Sequence, residues 1–207
     1  GDEVHDTVEV FKEKEVLKPK FLKEEKGLSA AERGTVIHYV MQRLNYDRVS
    51  TISEIKSQIE EMILDNSLTE KEASAVWYKK IYNFFNSKLG ERVLKAYKED
   101  RLVSRELPFF TELSSVEYDP ELNKEIYMDE KIRLQGIIDC FFEEEDGIVL
   151  LDYKTDYVEE GKVDEIIERY KSQIKYYKDA LEKIIGKRVK ESYLYLFNID
   201  KEILVEV

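Results

Sequence analysis

LQGIIDCFFEEEDGIVLLDYKTD, residues 134–156, is the stretch whose reading decides the fold. Two apolar runs, Gly136–Phe142 and Ile148–Tyr153, flank the acidic turn Glu143–Gly147, which is the pattern of a β-hairpin. Side chains alternate along a strand, so Asp152 and Lys154 share one face while Leu151 and Tyr153 take the other. A turn centred between Glu145 and Asp146 sets Asp139 opposite Asp152. A turn centred on Asp146 and Gly147 sets it opposite Lys154. Either way Asp139, Asp152 and Lys154 fall on one face. Two carboxylates and an ammonium on a mostly apolar hairpin need a compensating partner, because buried unpaired charge is costly. A divalent cation is such a partner.

An acid-x-Lys triplet is common in so charged a chain and occurs five times, at Glu24, Glu54, Asp129, Asp152 and Glu160. Four of these sit in polar surroundings and read as solvated surface pairs. Only Asp152/Lys154 ends an apolar strand with another acid across a hairpin.

The formal charge is −12, which argues against a protein that wraps nucleic acid by charge alone. It leaves open an enzyme that acts on nucleic acid through clustered acids and a metal. The single cysteine, Cys140, excludes an internal disulfide and any cysteine-built zinc or iron–sulfur centre, and points to a reducing, cytoplasmic setting. No apolar run is long enough to span a bilayer. The chain opens on Gly1 rather than Met, as a piece of a longer protein would. No G-x-x-x-x-G-K-[ST] occurs, so no nucleotide site is expected.

In order along the chain, residues 1–27 read as a charged arm or linker, with His5 incidental. Ser29 and Glu32 form the S-x-x-E of a capping box opening a helix over Leu28–Tyr46. Its core stripe is Ile37, Val40, Met41 and Leu44, with His38 at the edge. Gly34 lies one turn earlier, where something is expected to approach closely. By itself a lone histidine at a stripe edge is more often a hydrogen-bonded structural residue than a ligand, and His38 reads so on local evidence. Ile52–Lys98 continues helical in three segments, with Trp77, Ile81, Phe84 and Phe85 as core. Leu102–Phe110 reads as a strand with Glu106 its odd interior acid. Thr111–Lys131 reads as a loop or insertion; its acids are spaced like a calcium loop, but Lys124 stands where that loop needs Gly. Val163–Ile185 is a long amphipathic helix closed by Gly186, on the stripe Val163, Ile166, Ile167, Tyr170, Ile174, Tyr177, Leu181, Ile184. Gln173 borders that stripe. Strands are expected over Ser192–Ile199 and Ile203–Val207.

The order helix, strand, hairpin, long helix, strand, with an acid and then an acid-x-Lys on adjacent strands, resembles the restriction-endonuclease-like nuclease core. More narrowly it is similar to the RecB-type nuclease domain that ends the AddA-type subunit of bacterial helicase–nucleases. The resemblance rests on ERGTVIHYVMQRL at 32–44, RELPF at 105–109, LQGIID at 134–139, LDYKTD at 151–156 and ERYKSQIKYYKDAL at 168–181. It implies an α/β fold with a mixed sheet flanked by helices. Residues 28–207 would be the nuclease domain, with 28–98 its helical part and 99–207 its catalytic core. The resemblance also implies roles: His38, Asp139, Asp152 and the Tyr153 backbone carbonyl as metal ligands, Lys154 as the catalytic lysine and Glu106 as an accessory acid. Gln173 and Tyr177 would be the Q-x-x-x-Y pair that supports the site and the DNA path. It further implies Mg²⁺, with Mn²⁺ accepted because of the imidazole, and single-stranded DNA as substrate. The partners implied are helicase domains of the same parent chain and a second, AddB-like subunit; this chain lacks the cysteines that hold an iron–sulfur cluster in the related AddB-type nucleases. Two other readings are a catalytically silent DNA-holding or docking module of the same fold, and an acidic protein-interaction adaptor.

Overall fold

Strand β3 (Lys131–Glu144) is the one on which its neighbours are built. The structure, a computed structural model, describes residues 8–10, 28–114, 131–159 and 161–207. Along one edge of β3 runs β2 (Val103–Ser114), antiparallel from Lys131 to Phe142. The opposite edge is shared. β1 (Val8–Val10) pairs in parallel with Arg133–Gln135, and β4 (Gly147–Lys154) pairs antiparallel with Cys140–Glu144. Between those two partners, Gly136–Asp139 meets no ladder partner on that edge among the described residues. β5 (Val189–Leu196) then lies parallel to β4, and β6 (Lys201–Leu204) antiparallel to β5, giving a mixed six-stranded sheet.

Both faces of the sheet are covered, so β4 is buried along almost its whole length. On one face pack α1 (Ala30–Arg43), α2 (Ile52–Leu64), α3 (Glu70–Ser74), α4 (Tyr78–Phe85) and α5 (Lys88–Lys98). Their apolar sides close over Cys140, Phe142, Val149, Leu151, Tyr153, Tyr195 and Phe197. On the other face α6 (Val163–Ile185) lays Ile166, Tyr170, Ile174, Tyr177 and Leu181 over Ile138, Phe141, Ile148, Leu150, Leu194 and Leu196. This is the expected α/β restriction-endonuclease-like arrangement, a mixed sheet flanked by helices.

Local chemistry explains the boundaries. Ser29 and Glu32 form the expected capping box, each accepting from the other's backbone N–H, a feature worth about 1 kcal/mol. α6 spans the predicted residues and ends at Gly186 in the left-handed region, φ 70°. Several boundaries differ from expectation. The helical stretch 52–98 is four helices rather than three, because Thr69 and Glu72 make a further capping box that starts α3. β2 runs on to Ser114 and β3 begins at Lys131, so the expected loop gives up residues at both ends. Val8–Val10 is a strand inside the expected arm. Ile184 is half exposed rather than core, while its neighbour Ile185 packs against the core. The rest of the arm, including His5, and residues 115–130 with their calcium-like spacing lie outside the described residues.

Candidate active site

The hairpin takes the first of the two registers. Glu144 pairs with Gly147 and Cys140 with Leu151, so Asp139 comes level with Asp152. Across the other edge Cys140 pairs with Arg105, which brings Glu106 level with Asp139 as well. Three acids on three adjacent strands thus stand in one row: Glu106, Asp139, Asp152. The β3–β4 ladder ends just before this row, at Cys140 and Leu151, while the β2–β3 ladder skips Glu106 and Asp139 and resumes at Leu107 and Ile138. Tyr153 N–H, which a continued ladder would give to a backbone carbonyl, donates instead to Asp139 Oδ2 at 2.8 Å. Glu106 adopts φ 56°, outside the range of its strand neighbours. A non-glycine residue held there costs of the order of 1–2 kcal/mol. The sheet is therefore opened at the point where the acids converge.

Asp139, Asp152 and Lys154 are buried, at 5%, 1% and 6% exposure. Lys154 Nζ lies 2.6 Å from Asp152 Oδ2 and donates to Gln173 Oε1 at 2.8 Å. The Gln173 amide then donates through Nε2 to the Tyr177 hydroxyl at 3.0 Å. Both Gln173 and Tyr177 project from α6, so the helix on the far face of the sheet fixes the lysine. Burial and the neighbouring Asp152 and Asp139 charges hold the Tyr177 hydroxyl far above its ordinary pKa, so it stays protonated.

His38 arrives from α1. Its Nδ1–H donates to the Gly34 carbonyl at 2.8 Å, which sets the ring and turns Nε2 toward the acids. Nε2 lies 2.9 Å from the Tyr153 carbonyl and 3.2 Å from Asp139 Oδ2. The close approach expected at Gly34 is present: a Cβ there would stand 2.7 Å from Thr155 Oγ1, just beyond the end of β4. The Tyr153 peptide is anchored by its ring, packed edge-on against Phe84 at 5.4 Å and tilted against Phe197 at 5.5 Å.

The structure brings all eight sequence-named residues to this region, with Glu106 placed by register. It adds two that the sequence pattern leaves in the core stripe or unmarked. Tyr170 sets its ring 3.9 Å from Lys154 Nζ and gives its hydroxyl to Asp156 at 3.0 Å. It stands one turn before Gln173 on the same helix side, a spacing that the sequence shows. Thr155 has no such signal, and only the contact with Gly34 marks it.

The donor set is two carboxylates, a carbonyl and an imidazole, the chemistry of a hard or borderline divalent cation. Asp139 Oδ2 and the Tyr153 carbonyl already meet at His38 Nε2, so these residues fit such a cation in kind. Among the described residues no three His, Cys, Asp or Glu side chains form a ready-made cage. The lysine lies against Asp152 and the imidazole against Asp139.

An acid on one strand and an acid-x-Lys on the next, carried by a mixed sheet between helices, define a nuclease class. The chain belongs to the PD-(D/E)XK nuclease superfamily, whose model matches residues 11–206. Asp139 and Asp152-Tyr153-Lys154 meet the acid and the acid-x-Lys of that pattern, with Ile138 where the pattern writes Pro. More narrowly, the chain is similar to bacterial proteins named as ATP-dependent helicase/nuclease subunits. It is 47% identical to that of Clostridium beijerinckii over 99% of its own length and 16% of the relative's. It is 51% identical to that of Clostridium perfringens and 54% identical to that of a Thermoanaerobacter species, covering 94% and 93% of this chain and 15% of each relative. The chain thus spans about a sixth of the length of these relatives.

Proposed function

We propose that residues 28–207 are the nuclease domain of an ATP-dependent helicase–nuclease, a metal-dependent deoxyribonuclease acting on single-stranded DNA. In this reading the strand is delivered by helicase domains of the same parent chain, working with an AddB-like partner, during end processing and recombinational repair in the cytoplasm. Within it, 28–98 supply His38 and 99–207 the rest of the site. The observation that carries the reading is the convergence of Asp139, Asp152, Lys154 and His38 on the opened row of the sheet. The relatives' name, helicase/nuclease, supports the setting.

In this mechanism Asp139, Asp152, His38 and the Tyr153 carbonyl would hold Mg²⁺ or Mn²⁺. When bound, the cation neutralises charge on the phosphate and lowers the pKa of a bound water. The Lys154 ammonium lies beside Asp152, steered by Gln173 and by the Tyr170 ring. From there it orients the attacking water and offsets charge developing on the phosphate oxygens. Gln173 accepts from Lys154 and donates to Tyr177, so its amide has one orientation. That makes it a positioning residue. Glu106 adds negative charge at the end of the acid row.

A time course on end-labelled single-stranded and duplex DNA with Mg²⁺ or Mn²⁺ tests this. Single-stranded DNA should be degraded and duplex spared. Folded protein that leaves both intact at every metal concentration is instead the silent holding or docking module. That alternative draws on the pairing of Lys154 with Asp152, which satisfies charge without a metal.

A further inference from the structure

The chain's only tryptophan, Trp77, is expected in the core from its helix stripe but is only half-buried. It lines a groove of about 580 Å³ together with Ile52, Lys56, Tyr78, Lys79, Lys80 and Asn198. Each flanking cation leans on a ring: Arg33 on Trp77 at 5.6 Å, Lys56 on Tyr78 at 5.6 Å, Lys79 on Tyr82 at 5.0 Å. Among the described residues none of these three is answered by a carboxylate. Lys80 is, through Asp200 Oδ2 at 2.9 Å. In a chain of formal charge −12 this is a local basic and aromatic surface.

The groove also begins where the candidate active site ends. Arg33 is the neighbour of Gly34, which abuts Thr155 at the end of β4. Phe197 N–H donates to the Lys154 carbonyl at 2.9 Å, and the next residue, Asn198, lines the groove. Asn198 Oδ1 in turn accepts from Val158 N–H at 3.3 Å, and its carbonyl from Lys80 Nζ at 2.8 Å. Two separate chain segments therefore lead from the end of β4 to the groove or its rim within a residue or two.

We propose that this groove holds the single-stranded DNA flanking the scissile phosphodiester, with Lys56, Lys79 and Arg33 at its phosphates and bases against Trp77 and Tyr78. The inference rests on the nuclease reading above and names the path of its substrate. Aromatic rings interleaved with cations suit a single strand, because every base has a face to stack and the backbone carries one charge per nucleotide. The mixture does not select sequence.

Because Trp77 is unique, its fluorescence reports on the groove alone. Titrating the chain with oligodeoxythymidylate in EDTA, where no cleavage competes, should quench that emission. Lys56→Glu/Lys79→Glu should weaken binding at least about tenfold and flatten the dependence of log affinity on log salt by about 1.4, at roughly 0.7 per phosphate contact. The charge-matched Lys183→Glu/Lys187→Glu, at the hairpin-turn end of the sheet, should change neither. Hydrolysis of bis(p-nitrophenyl) phosphate, too small to reach the groove, should be the same in wild type and Lys56→Glu/Lys79→Glu. Unquenched Trp77 with wild-type affinity in Lys56→Glu/Lys79→Glu overturns the groove. So does a variant that keeps its oligonucleotide affinity but no longer binds the helicase part of the parent protein, since the surface then docks protein. Groove-dependent binding without any phosphodiester hydrolysis by wild type leaves the groove standing and removes the nuclease reading instead.

Discussion

The two ends of the β3–β4 hairpin carry the same kinds of side chain in different solvents. At the turn end, Glu143, Glu144 and Asp146 are answered by Lys187, Arg92 and Lys190. Arg92 also reaches Glu191 at 2.5 Å. Those acids retain between 25% and 73% side-chain exposure. At the other end Asp139 and Asp152 retain 2% and 1%, and Lys154 and His38 only 7% and 10%. An ion pair left in water costs little and contributes little. A buried one carries a desolvation penalty that its own attraction often fails to offset. Charge at the turn end therefore serves to tie α5, the turn end of β3 and β5 together. At the far end it persists against the penalty, as a site for chemistry would.

The largest effect should come from the buried end. Asp152→Ala is expected to abolish Mn²⁺ binding in calorimetry and to cut DNA hydrolysis about a thousandfold or more. Lys154→Ala should keep the cation and lose most of the turnover, because the lysine acts on water rather than as a ligand. Asp152→Ala protein that binds Mn²⁺ at wild-type affinity would erase the distinction between the two ends. Next comes His38→Ala. Imidazole suits Mn²⁺ better than Mg²⁺, so the variant's activity should fall more with Mn²⁺ than with Mg²⁺, narrowing the difference between the metals. Equal losses with both would make His38 a structural residue.

Gly34→Ala tests how closely α1 must sit. A helical Ala is favoured over Gly by about 1 kcal/mol. Overpacking against Thr155, 2.7 Å from the new methyl, costs about 1–3 kcal/mol. The net loss of stability should stay within about 2 kcal/mol by denaturant titration. Hydrolysis should fall about tenfold or more, since a shift of α1 carries His38 away from Asp139. A variant with unchanged activity would show that the site tolerates a displaced α1.

Much of this is legible in the sequence, and the exceptions have physical reasons. The hairpin and α6 can be read because each carries its own periodicity and its own stop, the acidic turn in one case and Gly186 in the other. Asp139, Asp152 and Lys154 follow from register alone. His38 does not, because only tertiary packing brings α1 to the end of β4. Gly34 is the one local hint, and the family resemblance supplies the role. The left-handed backbone at Glu106 has no signal at all, since no Gly or Asn marks it. Residues 111–114 read as loop because they are polar, and they are strand because β3 offers them a ladder. The stripe that Trp77 shares with Ile81 and Phe84 assigns it to the core. Periodicity places a residue on a helix face but does not show whether a neighbour covers it.

At the turn end the expected effects are on stability only. Arg92, with Lys190 also contributing, holds the Glu144 carboxyl down at about 2 from an ordinary 4.5. A carboxylate depressed in the folded state adds stability that is complete above pH 4.5 and is lost as pH falls toward 2. Arg92→Ala should therefore cost about 1–2 kcal/mol at neutral pH, discounted for the partial exposure of the pair. Its deficit against wild type should shrink between pH 4.5 and 2. Nuclease activity should be unchanged. A pH-independent deficit would mean that Arg92 acts through packing on Phe142 and Tyr193, whose rings lie 5.8 Å from its guanidinium.

The smallest effect sets the floor of the comparison. Lys187 follows Gly186 and pairs with Glu143, with 51% of its side chain still in solvent against 27% for the acid. Holding a long, half-solvated lysine in one rotamer costs entropy that largely offsets the attraction, and salt screens the remainder. Lys187→Ala should change unfolding free energy by less than about 0.5 kcal/mol and leave DNA hydrolysis untouched. At about 1 M salt, where the screening length is about 3 Å, even that difference should vanish. A loss above about 1.5 kcal/mol that survives high salt would place this pair in a low-dielectric setting like that of Lys154 and Asp152. Exposure would then no longer separate the two ends of the hairpin.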